Sequence, residues 1–251
     1  MAPKVPQTAD KEIFEKLNES LSTGSQISLL EIQRLINKAS KIPVPQRYAC
    51  LAAVYSHVPN YDLTLENAEY AVKYSCGDKE CIMNALSSLN NLRCYSDIVR
   101  FAKTYPAILR CNDVIQECYD AAFYSFDFDF CEELARDYMD LLNEALEHRN
   151  LINFFDSDPE LINKASEYIS FSLRKFKDIS QKHQIRTSSN TFGFNAPSHK
   201  LGAKEFNFII GFKSIDIDRL IDIETEWLKG IAEYEISDER LCAITFSMEA
   251  L

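Results

Sequence analysis

The stretch RYACLAAVYSHVPNYDLTLENAEYAVKYS, Arg47–Ser75, decides the fold. Two apolar runs at helical spacing, Tyr48–Val58 and Thr64–Ser75, flank Pro59-Asn60. Apolar residues three and four apart line one face of a helix, and a Pro-Asn pair between two such runs marks a turn. Thr64 stands where an N-cap is expected ahead of Leu65. The layout returns in Glu80–Leu92 with Ser96–Tyr105, ended by Pro106, and again in Val114–Phe126 with Phe130–Leu142. Ala53, Leu86 and Ala121 hold corresponding places in the first helices, 33 and 35 residues apart. Ala71, Ala102 and Ala135 do so in the second helices, at 31 and 33. Small residues there let helices approach closely, and Tyr55, Tyr74, Phe101, Tyr105, Tyr124 and Tyr138 are expected to fill the space between layers. Such a period is the mark of stacked helix pairs, which present a surface rather than a reaction site.

In that period and in its rhythm of small and aromatic positions, Arg47–Leu142 resembles the tetratricopeptide repeats. It departs from them at Leu86, where the family places Gly or Ala. The closing proline is missing from the first and third units, leaving Pro106 as its counterpart. The resemblance implies a concave groove that receives a peptide or a partner helix.

Outward from the repeats, Lys11–Leu21 carries Ile13, Phe14 and Leu17 at helical spacing, and Ser28–Ala39 carries Leu29, Ile32, Leu35 and Ile36. Pro43 and Pro45 end that pair. The run Phe126-Asp127-Phe128-Asp129-Phe130 alternates like a strand, yet between helices it reads as a turn with Asp129 capping a helix from Phe130. A long helix follows from Asp158 to about residue 183, with Pro159 in its first turn. Composition then shifts. Arg186–Lys204 is rich in Ser, Thr, Asn and Gly. Beyond it come a strand over Glu205–Ser214, a helix over Asp216–Tyr234 and a strand over Leu241–Met248, with a hairpin ahead of them. The expected fold is mainly α: a stacked helix-pair array followed by a small C-terminal α+β unit. The expected divisions are a disordered lead at 1–10, a helical-repeat domain at 11–183, a linker or hairpin loop at 184–204 and the α+β unit at 205–251.

The net charge of −11 argues against general nucleic-acid binding, which needs a positive footprint. The charge is uneven. Residues 164–204 hold eight bases and two acids, and residues 205–251 hold eleven acids and four bases. The plain reading is two faces that attract each other; the sharper one is an anionic contact on the island. No window is apolar enough to span a bilayer, and Met1–Asp10 lacks the apolar core of a secretory signal. The 8 cysteines form no C-x-x-C pair, so reduced thiols in a cytoplasmic protein are expected, acting as small core residues. Cys242, in an apolar strand, is expected to be buried.

No catalytic motif, cofactor motif or phosphate loop stands out. Asp216, Asp218, Asp222 and Glu226 are the weak metal candidates, the last three sharing one helix face at i, i+4, i+8. Tyr55, Tyr124, Phe126, Phe128, Lys175, Lys177 and Arg186 are the partner-binding candidates. The expected function is a module that binds a protein or peptide through its helical-repeat surface, with homo-oligomerisation left open. Two alternatives stand beside it. One is an acidic neutraliser (immunity protein, antitoxin or inhibitor) of a basic nucleic-acid-acting protein. The other is a nucleic-acid-processing or metal-dependent activity in the C-terminal unit.

Overall fold

The computed structural model describes residues 8–23, 27–143, 146–183, 185, 190–200, 203–212 and 215–250. Its helices are α1 (Thr8–Thr23), α2 (Leu29–Ala39), α3 (Gln46–Ser56), α4 (Tyr61–Tyr74), α5 (Lys79–Asn91), α6 (Tyr95–Thr104), α7 (Ile115–Tyr124), α8 (Phe128–Tyr138), α9 (His148–Phe154), α10 (Pro159–Lys182) and α11 (Ile217–Ile231). Three strands, β1 (Asn190–Lys200), β2 (Ala203–Phe212) and β3 (Ile244–Ala250), complete it. The fold is mainly α, with stacked neighbouring helices and a small C-terminal sheet and helix. The chain forms two compact units that divide within α7, after Ala121.

In the first unit α5 packs on both helices of the preceding hairpin, α3 and α4, and then on α6. The aligned positions lie inside. Ala71 and Leu86 are at 0% exposure, Ala121 at 1% and Ala102 at 2%. A bulkier side chain at any of them would push two helix backbones apart. The leading pair α1–α2 packs on α3 around Ile13, Leu17, Ile32, Leu35 and Val54. His57 fastens this layer, its Nδ1 3.0 Å from the Ala53 carbonyl and its Nε2 3.3 Å from that of Leu17.

Side chains from short polar residues start most of the helices. Ser28, Asn60, Asp78, Asp127 and Asp216 each accept from the backbone N–H three residues on, which satisfies one of the orphan donors of a first turn. Two expected caps therefore move. Asn60, not Thr64, begins α4, because its Oδ1 reaches Leu63 N at 3.1 Å. Thr64 sits one turn in and donates to the Asn60 carbonyl. Asp127, not Asp129, begins α8. The repeated Asp-Phe gives two cap registers, and the earlier one buries Phe128, Phe130, Cys131 and Leu134 together.

Three helices end alike. After α5, α7 and α9 a residue in the left-handed region is followed by an N–H reaching back five residues, as in a Schellman ending. The left-handed residues are Arg93 (φ 57), Phe126 (φ 61) and Asp156 (φ 55). The returning bonds are Cys94 N to Leu89 O at 3.0 Å, Asp127 N to Ala122 O at 2.9 Å and Ser157 N to Ile152 O at 2.8 Å. This glycine-poor chain spends side-chain residues where glycine is usual.

In the second unit α8 packs on α9, and α10 packs on α11. Gly230 permits that last approach, since a Cβ there would lie 3.2 Å from the Lys175 side chain. The sheet order is β1-β2-β3, with β1 and β2 an antiparallel hairpin and β3 parallel to β2 across α11. Phe206, Phe208, Ile210 and Phe212 are buried, the alternation that a sheet face requires. Phe206 meets the rings of Phe126, Phe154 and Phe155. Trp227 is fully buried between Phe176 and Phe246 and donates its indole N–H to the Ser172 carbonyl at 2.8 Å. Glu224 of α11 accepts from Met248 N of edge strand β3 at 2.7 Å, satisfying one otherwise open edge donor.

The last strand starts later than expected, at Ile244. Asp238 caps a 3-10 turn over Glu239–Ala243 that buries Leu241 and leaves Cys242 exposed, not buried. Cys50, Cys81, Cys111, Cys118 and Cys131 are buried, Cys94 is half-buried and Cys76 is exposed. Burial pushes the Cys50 and Cys81 thiols up to about 12, so neither is a thiolate near neutrality.

Candidate partner-binding site

Part of the uneven charge of the C-terminal half is taken up in ion pairs within the second unit. Lys182 Nζ and His183 Nε2 of the basic island converge on Glu226 at 2.7 and 2.9 Å. Lys182 and then His183 hold that carboxyl below its ordinary range. Lys175 pairs with Glu233. Lys164 reaches Glu160 at 2.7 Å and Asp238 at 3.6 Å, and Arg240 bridges Asp158 and Asp238. Arg219 adds a hydrogen bond to the His183 carbonyl at 2.8 Å. Lys182 thus ties α10 to α11, and Lys164, Lys175 and Lys182 are committed within the fold.

The acidic candidates do not converge. Asp216 is the N-cap of α11, Glu226 is held by Lys182 and His183, and Asp218 and Asp222 are exposed along the helix. Among the described residues no three His, Cys, Asp or Glu side chains gather as metal ligands would. The aromatic candidates divide. Phe126 and Phe128 are core residues at 5% exposure, their centroids 5.1 Å apart, whereas Tyr55 and Tyr124 are half-buried. Lys175 is paired, Lys177 is half-buried on α10, and Arg186 lies outside the described residues.

The stacked helices of the first unit carry a groove that none of the named candidates marked. Its volume is about 630 Å³, and it runs between the end of α4 and the segment that follows α6. One wall is Lys73, Ser75, Cys76 and Gly77; the other is Tyr105–Ala107 with Arg110–Asp113. The end of α4, the loop that leads from it to Lys79 at the start of α5, and the segment that follows α6 form it. Cys76 (φ 51) and Gly77 (φ 85) turn the chain sharply here. A Cβ on Gly77 would meet nothing within 4 Å, so the backbone angle alone calls for glycine. Tyr105 shapes the far wall by donating its hydroxyl to Glu69 at 2.9 Å. Three cations and one acid line the groove in a chain of net charge −11. Lys79 is spent on Asp113, but Lys73 and Arg110 hold no ion pair among the described residues.

A tyrosine ladder adjoins it. The rings of Tyr48, Tyr70 and Tyr74 lie 5.1 to 6.1 Å apart, and Tyr74 is 43% exposed. Lys73 Nζ stands 5.6 Å from the Tyr74 centroid, joining ladder to groove. Tyr74 therefore does not fill the space between layers. The signal was present in sequence: Ala68 and Ala71 set the buried stripe of α4, and Tyr70 with Tyr74, one turn apart, fall off it. Rigid aromatic rings beside uncommitted cations suit macromolecular contact, since they bury area at low entropic cost.

Among the described residues no helix is long and apolar enough to cross a membrane. No known protein family matches the chain, and no match is found among curated proteins or solved structures.

Proposed function

We propose that this protein is an interaction module whose helical repeats, similar to tetratricopeptide repeats, bind a segment of another protein. The observation that carries the reading is the groove with its adjoining ladder: Tyr74 exposed, Lys73 and Arg110 uncommitted, on stacked helices. The partner segment lies along the groove, its carboxylates meeting Lys73 and Arg110 and its apolar side chains resting on the tyrosine rings. The internal pairing of Lys164, Lys175 and Lys182 favours a protein partner over nucleic acid, because it removes those charges from a phosphate footprint.

Affinity capture with the whole chain, followed by mass spectrometry, tests this. A stoichiometric partner should be captured by the native chain and lost with Lys73→Glu/Arg110→Glu. It should be retained by Lys11→Glu/Lys41→Glu, which changes the net charge equally elsewhere. Capture that is indifferent to the groove variant, or no stoichiometric partner in any condition, refutes the reading.

A further inference from the structure

A second groove, on the second unit, has the opposite character. Its volume is also about 630 Å³, and α8, the turn after it and the entry to α9 line it. While α8 buries Phe130, Cys131 and Leu134, it turns Asp129, Glu133 and Arg136 outward at i, i+4, i+7. Met139 and Leu146 form the apolar part, at 53% and 41% exposure. Large apolar side chains grouped in a groove are the less common surface arrangement, and polar rims around them mark interaction sites.

The cations of this groove are already used. Arg149 grips Glu132 through two bonds of 2.7 and 2.9 Å, and His148 Nε2 adds a contact at 3.0 Å. Arg149 first, then His148, lowers the Glu132 carboxyl to about 2, so it stays ionised and occupied. Arg136 lies along Asp137 at 2.8 and 3.3 Å. Asp129 and Glu133 hold no ion pair among the described residues. Among the described residues the groove therefore offers two carboxylates outside any ion pair, one helical turn apart, beside two exposed apolar side chains, although Arg136 attracts Glu133 at longer range.

We infer that this groove receives a basic amphipathic helix of a partner protein. Apolar residues at i and i+4 of that helix seat between Met139 and Leu146, while flanking Lys or Arg side chains meet Asp129 and Glu133. The negative field of the whole chain speeds the encounter. Because the ion pairs are exposed, binding weakens steeply with salt, and the apolar part alone persists.

The probe is a fluorescein-labelled Lys/Leu amphipathic peptide of about fourteen residues, read by anisotropy against the full chain. Asp129→Asn/Glu133→Gln should weaken binding about tenfold at low salt. Asp62→Asn/Glu66→Gln, an exposed pair of the same spacing on α4, should leave it unchanged. Met139→Ser/Leu146→Ser should weaken it about tenfold in about 0.5 M NaCl as well as at low salt. These side chains are exposed, so the variants fold, as circular dichroism will verify. Equal weakening by the groove pair and the α4 pair would show a general attraction of cations to an acidic protein and overturn the inference. Full retention of binding by Met139→Ser/Leu146→Ser would overturn it too.

Discussion

Glu117 is predicted to destabilise the protein near neutrality, and removing its charge should strengthen the fold. It lies on α7, half-buried. Burial is the main cause that lifts its carboxyl from the ordinary 4.5 to about 7. A hydrogen bond from Asn90 opposes the rise, and the charge of Asp120 adds to it. The sign follows from proton linkage. A carboxyl that holds its proton more tightly when folded favours folding at low pH, and that contribution is lost as pH climbs from about 4.5 to about 7. At about 1.4 kcal/mol per pH unit, the ionised group costs the fold about 3 kcal/mol above that window. Glu117→Gln keeps the shape and the contact with Asn90 but cannot ionise. Urea unfolding followed by circular dichroism should show the variant more stable by about 2–3 kcal/mol at about pH 8, and by under about 1 kcal/mol at about pH 5. A variant less stable than the native chain at about pH 8 would refute the reasoning, because it would mean the carboxylate is held by partners rather than penalised by burial. An equal gain at both pH values would refute it as well.

Two further outcomes follow from the backbone and the thiols. Ser157 sits exposed at φ 56 just before the Asp158 cap of α10, so Ser157→Gly should relieve left-handed strain and raise stability by about 0.5–1 kcal/mol, seen as a higher melting temperature; a lower one counts against the ending assigned to α9. In the native protein a thiol reagent should modify Cys76 and Cys242 rapidly and the five buried cysteines only after urea unfolding, with peptide mapping to place the label; fast labelling of Cys118 in the folded chain would contradict its burial.

The stacked helices were legible because helix packing imposes its own spacing: Ala71, Ala102 and Ala135 recur at 31 and 33 residues, and each is buried. β2, α11 and β3 were legible from period-2 and period-3.6 patterns, whereas β1 falls in the segment expected to be a linker or hairpin loop. Helix starts were less so. Asn60 against Thr64 and Asp127 against Asp129 are choices between equivalent caps, which tertiary burial of neighbouring apolar residues settles. Cys242 was misplaced for the same reason: a 3-10 turn capped by Asp238 rotates the chain before the strand begins. The groove of the first unit was not legible, because a local pattern does not say which loop faces which between stacked helices.

Charge was the part of the sequence most open to misreading, and the structure shows why a count of bases is a poor guide to a binding face. Lys164, Lys175 and Lys182 sit in the most basic segment, yet carboxylates of their own unit occupy each of them. Lys73 and Arg110 belong to no basic cluster in sequence, yet they hold no ion pair among the described residues and line a groove. Asp129 and Glu133 are in the same position on the acidic side, next to Glu132, whose charge Arg149 already answers. A charge becomes available to a partner only after the fold has taken its share. Exposed pairs of this kind contribute little to stability, commonly under about 1 kcal/mol each. Their effect on recognition is larger, because they decide which few charges remain to be met from outside.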